Sequence, residues 1–217
     1  TPSAAWLSLG TTPIEQVRIP MGYFRWKVSK AGLGELTAAP MTAANMNFPL
    51  AKDLNTSAGM AYVPAQKWSN YSGFLGWLGP YNLPAFDVDR YEVTNREFQK
   101  FVDDGGYSNS KYWPANFEDG GKTLTWSVAM ARFRDTTGRP GPSTWAAGHY
   151  PDGRENYPVS GVSWYEASAF AAYAGKSLPV LGQWYEVAPP DAAEYTVPMS
   201  NIVGAARAPV GKFKGLG

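Results

Sequence analysis

Residues 106–162 contain three tryptophans, Trp113, Trp126 and Trp145, together with Phe117, Phe133 and many glycines, yet little hydrophobic periodicity. Neither a helical period of 3.6 nor a strand period of 2 can be laid along this stretch for long. A connection of that length inside a globular chain is normally functional or an Ω-type excursion. Its backbone has to be pinned by side chains. The chain therefore reads as a loop-rich α+β fold with few strands, two or three helices and much irregular chain held by aromatics. No internal repeat is visible.

Two helix starts bound that stretch. Thr94 stands three residues before Glu97, and Ser163 three before Glu166, which is the capping-box spacing. The first predicted helix carries Phe98, Phe101 and Val102 at i, i+3 and i+4 and stops at Gly105-Gly106. The second ends at Gly175. It is read with Trp164, Ala167 and Ala171 on one side, Phe170 and Tyr173 beside them, and Trp164 packing it into the core. Its many alanines imply close approach to a neighbour. A third short helix is predicted over residues 180–187, with Pro179 near its first turn.

The segments MAYVPA, from Met60, and AFDVDRYEV, through Val93, are strand candidates. Upstream, VRIPMGYFRWKVSK places β-branched and aromatic residues on both sides of Pro20-Met21-Gly22 and predicts a hairpin turning there. Trp26 and Val28 alternate with Lys27 and Ser29, so one face is apolar. Residues 37–58 read as a linker or surface connection. The domain reading is thus a β-rich segment with linker over residues 1–50 and a second domain over residues 59–217.

Composition excludes several chemistries. The chain has 217 residues, Lys plus Arg 19, Asp plus Glu 18, and no basic run, so the concentrated positive field a nucleic-acid binder needs is missing. With no cysteine, this chain can form no disulfide, thiolate nucleophile or thiolate metal site. His149 is the only histidine, which excludes a multi-histidine metal centre. No run of 18 apolar residues exists, so no helical span is predicted. The start at Thr1 reads as a processed chain or a piece of a longer one.

Several strings taken together resemble a known family. FDVDRYEVTNREFQKFVDDGGY, YPVSGVSWYEASAFAAYAGKSLP and APVGKFKGLG resemble, in that order, blocks of the formylglycine-generating enzyme (sulfatase-modifying factor) family. RFRDTTGRPGP and GKSLPVLGQWYE look most like its branch fused to bacterial serine/threonine kinases, and VRIPMGYFRWKVSKAG is similar to the end of a PEGA-like β-sandwich repeat. The resemblance implies a C-type-lectin-like fold preceded by a β-hairpin from a sandwich-like segment. It implies oxidation of a peptide cysteine to formylglycine, using copper held by a cysteine pair that this chain does not contain. Residues 59–217 would then be the N-terminal part of the domain, completed by further polypeptide or a second chain. The alternative from another class is a non-catalytic recognition or sensor module of a kinase receptor, binding a peptide, glycan or protein partner. Kinase-linked relatives place this region outside the cytoplasmic membrane. LPVLGQWYE departs from the family's usual polar run at this helix start, which weakens the cap.

The site candidates follow. Trp113, Trp126 and Trp145 are recognition-loop candidates, since loops carry recognition and aromatics supply contact area. Asn201 and Ile202 fall where the resemblance implies calcium, bound by an Asn side-chain oxygen and the next backbone carbonyl. The family's nearby Asp is missing from VGAARAPVG, which leaves that site without an anionic ligand. Asp87 and Asp89 share one strand side, which would suit a hard cation or a carboxylate pair, the alternative being that they face solvent or an arginine such as Arg90 or Arg96. Ser163 with Glu166 could be read as nucleophile and acid, but the capping box accounts for both. His149 reads as an exposed loop histidine.

Overall fold

The computed structural model describes residues 5–39, 42, 46, 48, 50, 59–68, 81–188, 193–202, 204 and 206–213. The chain divides into two compact units: Thr1–Arg90 with Leu181–Gly204 and Phe213–Gly217, and Tyr91–Val180 with Ala205–Lys212. The described strands form four two-stranded antiparallel pairs and no closed barrel.

In the first unit, β1 (Trp26–Lys30) pairs with β2 (Gly34–Ala38), Trp26 opposite Ala38 and Lys30 opposite Gly34. The turn is Ala31-Gly32-Leu33, where Gly32 takes φ +81° and the Leu33 N–H donates to the Lys30 carbonyl at 3.0 Å. The hairpin is therefore not centred on Pro20-Met21-Gly22, and residues 17–19 are exposed and outside any strand. Thr42 supplies the reason. Its Oγ1 accepts the Gly22 N–H at 2.8 Å, and its own N–H donates to the Gly22 carbonyl at 2.9 Å. That clasp fixes the Pro20–Gly22 bend from twenty residues away. Trp26 and Val28 are half-buried while Lys27 and Ser29 are exposed, as the alternation predicts. β2 takes residues 37 and 38 from the expected linker, most of which lies outside the described residues.

β3 (Met60–Val63) pairs with β6 (Phe86–Asp89), Met60 opposite Asp89, and β4 (Gln66–Trp68) pairs with β5 (Tyr81–Leu83). Both expected strands form, but β6 ends at Asp89 rather than running on through Val93. Asp87 and Asp89 are exposed on one side of it, and the Arg90 Nε donates to the Met60 carbonyl at 3.0 Å. α4 (Leu181–Val187) and α5 (Ala193–Thr196) complete this unit.

The second unit is built on the two capped helices. In α1 (Asn95–Asp103), the Thr94 Oγ1 accepts the Glu97 N–H at 3.2 Å, and the Glu97 Oε2 accepts the Thr94 N–H at 2.8 Å. In α3 (Trp164–Tyr173), Ser163 and Glu166 repeat the arrangement. α3 closes with Gly175 at φ +70°, the Gly175 N–H donating to the Ala172 carbonyl and the Lys176 N–H to the Ala171 carbonyl, a Schellman closure. Trp164 is 62% exposed and does not enter the core. The inward side of α3 is a stripe of Glu166, Ala169, Phe170 and Tyr173 with Ala171 also buried, so the expected packing holds for Ala171, Phe170 and Tyr173 but not for Trp164. An acidic residue heads that stripe, which hides it from a hydrophobicity reading.

Part of residues 106–162 is regular after all. β7 (Phe117–Asp119) and β8 (Lys122–Leu124) form a hairpin around Gly120-Gly121, both at positive φ as a two-residue turn requires. α2 (Trp126–Met130) follows. The core gathers Phe98 and Phe101 from α1, Ala169 from α3, and Tyr107, Trp113, Phe117, Ala129, Met130 and Trp145 from the stretch between them. Phe98 stacks on Phe170 at 5.2 Å and meets Trp145 edge-on at 6.1 Å, while Trp113 stacks on Phe133 at 5.2 Å. The two indoles of this core each have an acceptor: the Trp113 Nε1 donates to the Gly106 carbonyl at 2.8 Å, and the Trp145 Nε1 to the Asn95 Oδ1 at 3.1 Å.

Candidate functional site

Asn95, the first residue of α1, organises a cleft of about 270 Å³ in the second unit. While its Oδ1 accepts from Trp145, its Nδ2 donates to the Arg154 carbonyl at 2.8 Å. The Asn95 N–H donates to the Tyr157 carbonyl at 2.9 Å and the Arg96 N–H to the Glu155 carbonyl at 3.0 Å. With Thr94 capping Glu97, the first three N–H groups of α1 are all occupied within the protein, so the helix end offers no free donor there.

The cleft wall comes from three loops. Residues 151–160 contribute Arg154 and Tyr157, with the guanidinium carbon 4.3 Å from the ring centroid. Thr144 ties the adjacent loop in, its hydroxyl donating to the Ser160 carbonyl at 2.6 Å. Residues 206–212 bring Arg207, which donates from Nη1 to the Ser160 Oγ, and the Val210 N–H donates to the Asn156 carbonyl at 2.9 Å. Gly161, at φ +73°, lets these loops approach, since a Cβ there would lie 2.6 Å from the Ser143 Oγ. Both arginines are therefore oriented by neutral partners. Among the described residues no carboxylate lines the cleft, and the ion pairs found among them, Lys27–Glu35 and Arg132–Asp119, use neither arginine.

Buried carboxylates elsewhere in this unit are consumed by structure. Glu166 accepts the Tyr107 hydroxyl at 2.6 Å on Oε1 and the Ser163 N–H and hydroxyl on Oε2. Burial, together with the Glu166 charge and hydrogen bond, pushes the Tyr107 hydroxyl pKa far above its ordinary value. Asp135 is 6% exposed and accepts from the Thr137 N–H and hydroxyl, the Arg139 N–H and the Gly148 N–H. Burial opposes its ionisation, but those hydrogen bonds prevail and hold the carboxyl at about 2. The half-buried Tyr173 hydroxyl has its pKa raised by its hydrogen bond to Asp104, with burial and the Asp104 charge adding to it.

The tryptophans divide. Trp145 is 1% and Trp113 6% exposed, so both serve the core rather than an open groove, and Trp145 reaches the cleft only as its floor. Trp126, 37% exposed, borders a second recess with Tyr107 and Arg134. His149 is exposed in a turn closed by paired backbone bonds with Ala146. Asn201 and Ile202 are exposed in a turn. A Cβ at Gly204 would lie 1.8 Å from the Asn201 Oδ1, so that carboxamide occupies the space over Gly204. No group of three or more His, Asp or Glu among the described residues could hold a metal. Without cysteine and with one exposed histidine, the residues present fit neither a thiolate copper site nor a multi-histidine iron site.

Sequence reasoning missed Arg154, Arg207 and Asn95. One signal was available: no Asp or Glu occurs from Tyr195 to Gly217. That absence counted against calcium, and it equally leaves Arg207 without a local counter-charge.

An α+β unit with aromatic-pinned loops and two capping boxes is the class defined so far. The sulfatase-modifying factor enzyme 1-like domain matches residues 54–211, and the chain belongs to that family. It is similar to a hercynine oxygenase of Mycobacterium tuberculosis, 36% identical over 48% of this chain and 23% of that protein. A formylglycine-generating enzyme of Mus musculus is 33% identical over 47% of this chain and 30% of that protein. The serine/threonine-protein kinase pkn1 of Chlamydia caviae is 28% identical over 47% and 14%. The chain thus spans less than a third of the length of each of these relatives.

Proposed function

We propose that this chain forms the scaffold and recognition part of a sulfatase-modifying-factor-type domain of C-type-lectin-like topology. In the whole protein the domain would oxidise a peptide cysteine to formylglycine. The family match over residues 54–211 carries the reading. The thiolates such an oxidation needs would come from polypeptide other than these residues, because the chain has no cysteine. No step through a metal is assigned to this chain. The chain's own contribution is an aromatic core that holds the loops in place.

The test is aldehyde formation on a cysteine-containing peptide, detected with a hydrazide probe. The 217-residue chain should give none. The whole protein supplied with copper, dioxygen as the oxidant and a thiol reductant should give aldehyde with release of sulfide, and a whole protein that binds copper yet forms none under those conditions would overturn the oxidase reading. A second reading, a sensor module of a kinase receptor, draws on the similarity to the Chlamydia caviae kinase. It gains if the whole protein forms no aldehyde and carries a kinase domain.

A further inference from the structure

We propose that the cleft walled by Arg154, Tyr157, Ser160 and Arg207 is a binding site for a small anionic oxygen group, carboxylate or phosphate, carried on an apolar body. The inference rests on the cleft and is independent of any oxidation chemistry. Two guanidiniums line one recess, held by an aromatic ring and a hydroxyl rather than by carboxylates. A guanidinium held by neutral neighbours is not neutralised by an ion pair and keeps N–H donors to spare, which suits it to recognise carboxylates and phosphates. The N-terminal donors of α1 are spent on the loop carbonyls and Thr94, so recognition falls to the arginines.

The rest of the cleft sets the size and character of the ligand. Trp145, Tyr157, Pro151 and Pro158 make much of its surface apolar. A volume of about 270 Å³ lies just under the range usual for small-molecule sites, so the occupant is the size of a single amino acid or a chain end. Asn95 bridges Trp145 to the Arg154 backbone, so the floor and one cationic wall are pre-positioned as one body.

The experiment uses the full chain with N-acetyl-L-phenylalanine, its neutral amide, and phenyl phosphate, followed by amide chemical shifts and titration calorimetry. The carboxylate, the phosphate or both should bind, and the amide should bind at least about tenfold more weakly. Arg154→Ala and Arg207→Ala should each weaken binding by about tenfold, and added salt should weaken it further. Lys122→Ala, an exposed cation on β8, should change nothing. Both arginines are exposed, so neither substitution threatens the fold, and near-ultraviolet circular dichroism checks this. The tighter of the two anions identifies the group. The proposal is overturned if neither anion binds, if the amide binds as well, or if binding survives loss of both arginines.

Discussion

Asp135→Asn tests whether one buried carboxylate charge holds the loop that carries Trp145. Four donors converge on Asp135, and the Thr136 hydroxyl donates to the Trp145 carbonyl at 2.8 Å beside it. An asparagine keeps one acceptor oxygen but turns an NH₂ toward either the Gly148 N–H or the Thr137–Arg139 group. Leaving a buried donor without an acceptor costs about 1–3 kcal/mol, and converting charge-assisted bonds to neutral ones adds to that. A loss of roughly 2–4 kcal/mol is expected at neutral pH. The sign of the pH dependence follows from the folded carboxyl at about 2 against an unfolded value of 3.8. Depression in the folded state means a contribution fully present above the unfolded value and lost as pH falls from about 4 toward 2, of order 2 kcal/mol. The assay is urea unfolding of wild type and variant at matched pH, with hydrogen exchange at the Gly148 amide as the local readout. Other carboxylates titrate in both proteins and cancel in the difference. The gap should be wide at pH 7 and should narrow by about pH 2 as the wild type loses its charge. A gap that stays constant over that range, or an unchanged Gly148 exchange rate in the variant, would refute the assignment.

Two further outcomes follow from the same unit. Glu166→Ala removes half of the α3 capping box and strands the buried Tyr107 hydroxyl, for a loss of about 2–4 kcal/mol in urea unfolding. Adding Tyr107→Phe should restore part of it, and no recovery would show that the hydroxyl is not the stranded group. Gly106→Ala places a Cβ 2.1 Å from a Phe101 ring carbon. That ring is fully buried among Tyr107, Tyr112, Trp113, Phe170 and Tyr173 and cannot swing away. Overpacking there should cost about 1–3 kcal/mol or more, and a melting temperature equal to wild type would count against it.

What was legible in the sequence was what is decided locally. The box at Thr94 needs only Glu97, the box at Ser163 needs only Glu166, and the closure of α3 needs only a glycine at 175, so each is found where its residues predict it. The N-terminal hairpin failed for the opposite reason. Two bends were available, Pro20–Gly22 and Ala31–Leu33, and Thr42 occupies the first from a distance no local pattern reports. Trp164 failed because α3 is aligned by the Tyr107–Glu166 bond, so its inner stripe begins on a charge and its large apolar residue faces out.

The same division explains why the candidate site was invisible while the family was not. Family-bearing strings are the contiguous ones, namely strand, cap, helix and stop. The cleft is made by chain segments meeting from residues 95, 144–145, 151–160 and 206–207, and although Asn95 and residues 157–160 lie within strings that carry the family resemblance, no local pattern reports that these segments meet. Tryptophans were the natural recognition candidates in a loop, but a loop without a hydrogen-bonded ladder must be anchored by something large. Trp113 and Trp145 do that work and are thereby withdrawn from solvent. Recognition then passes to groups that cannot be buried cheaply, and in this cleft those are guanidiniums. A scaffold that uses Trp113 and Trp145 as internal fixings leaves its cations to meet a ligand, and that is why Arg154 and Arg207, rather than those two tryptophans, are the residues to mutate first.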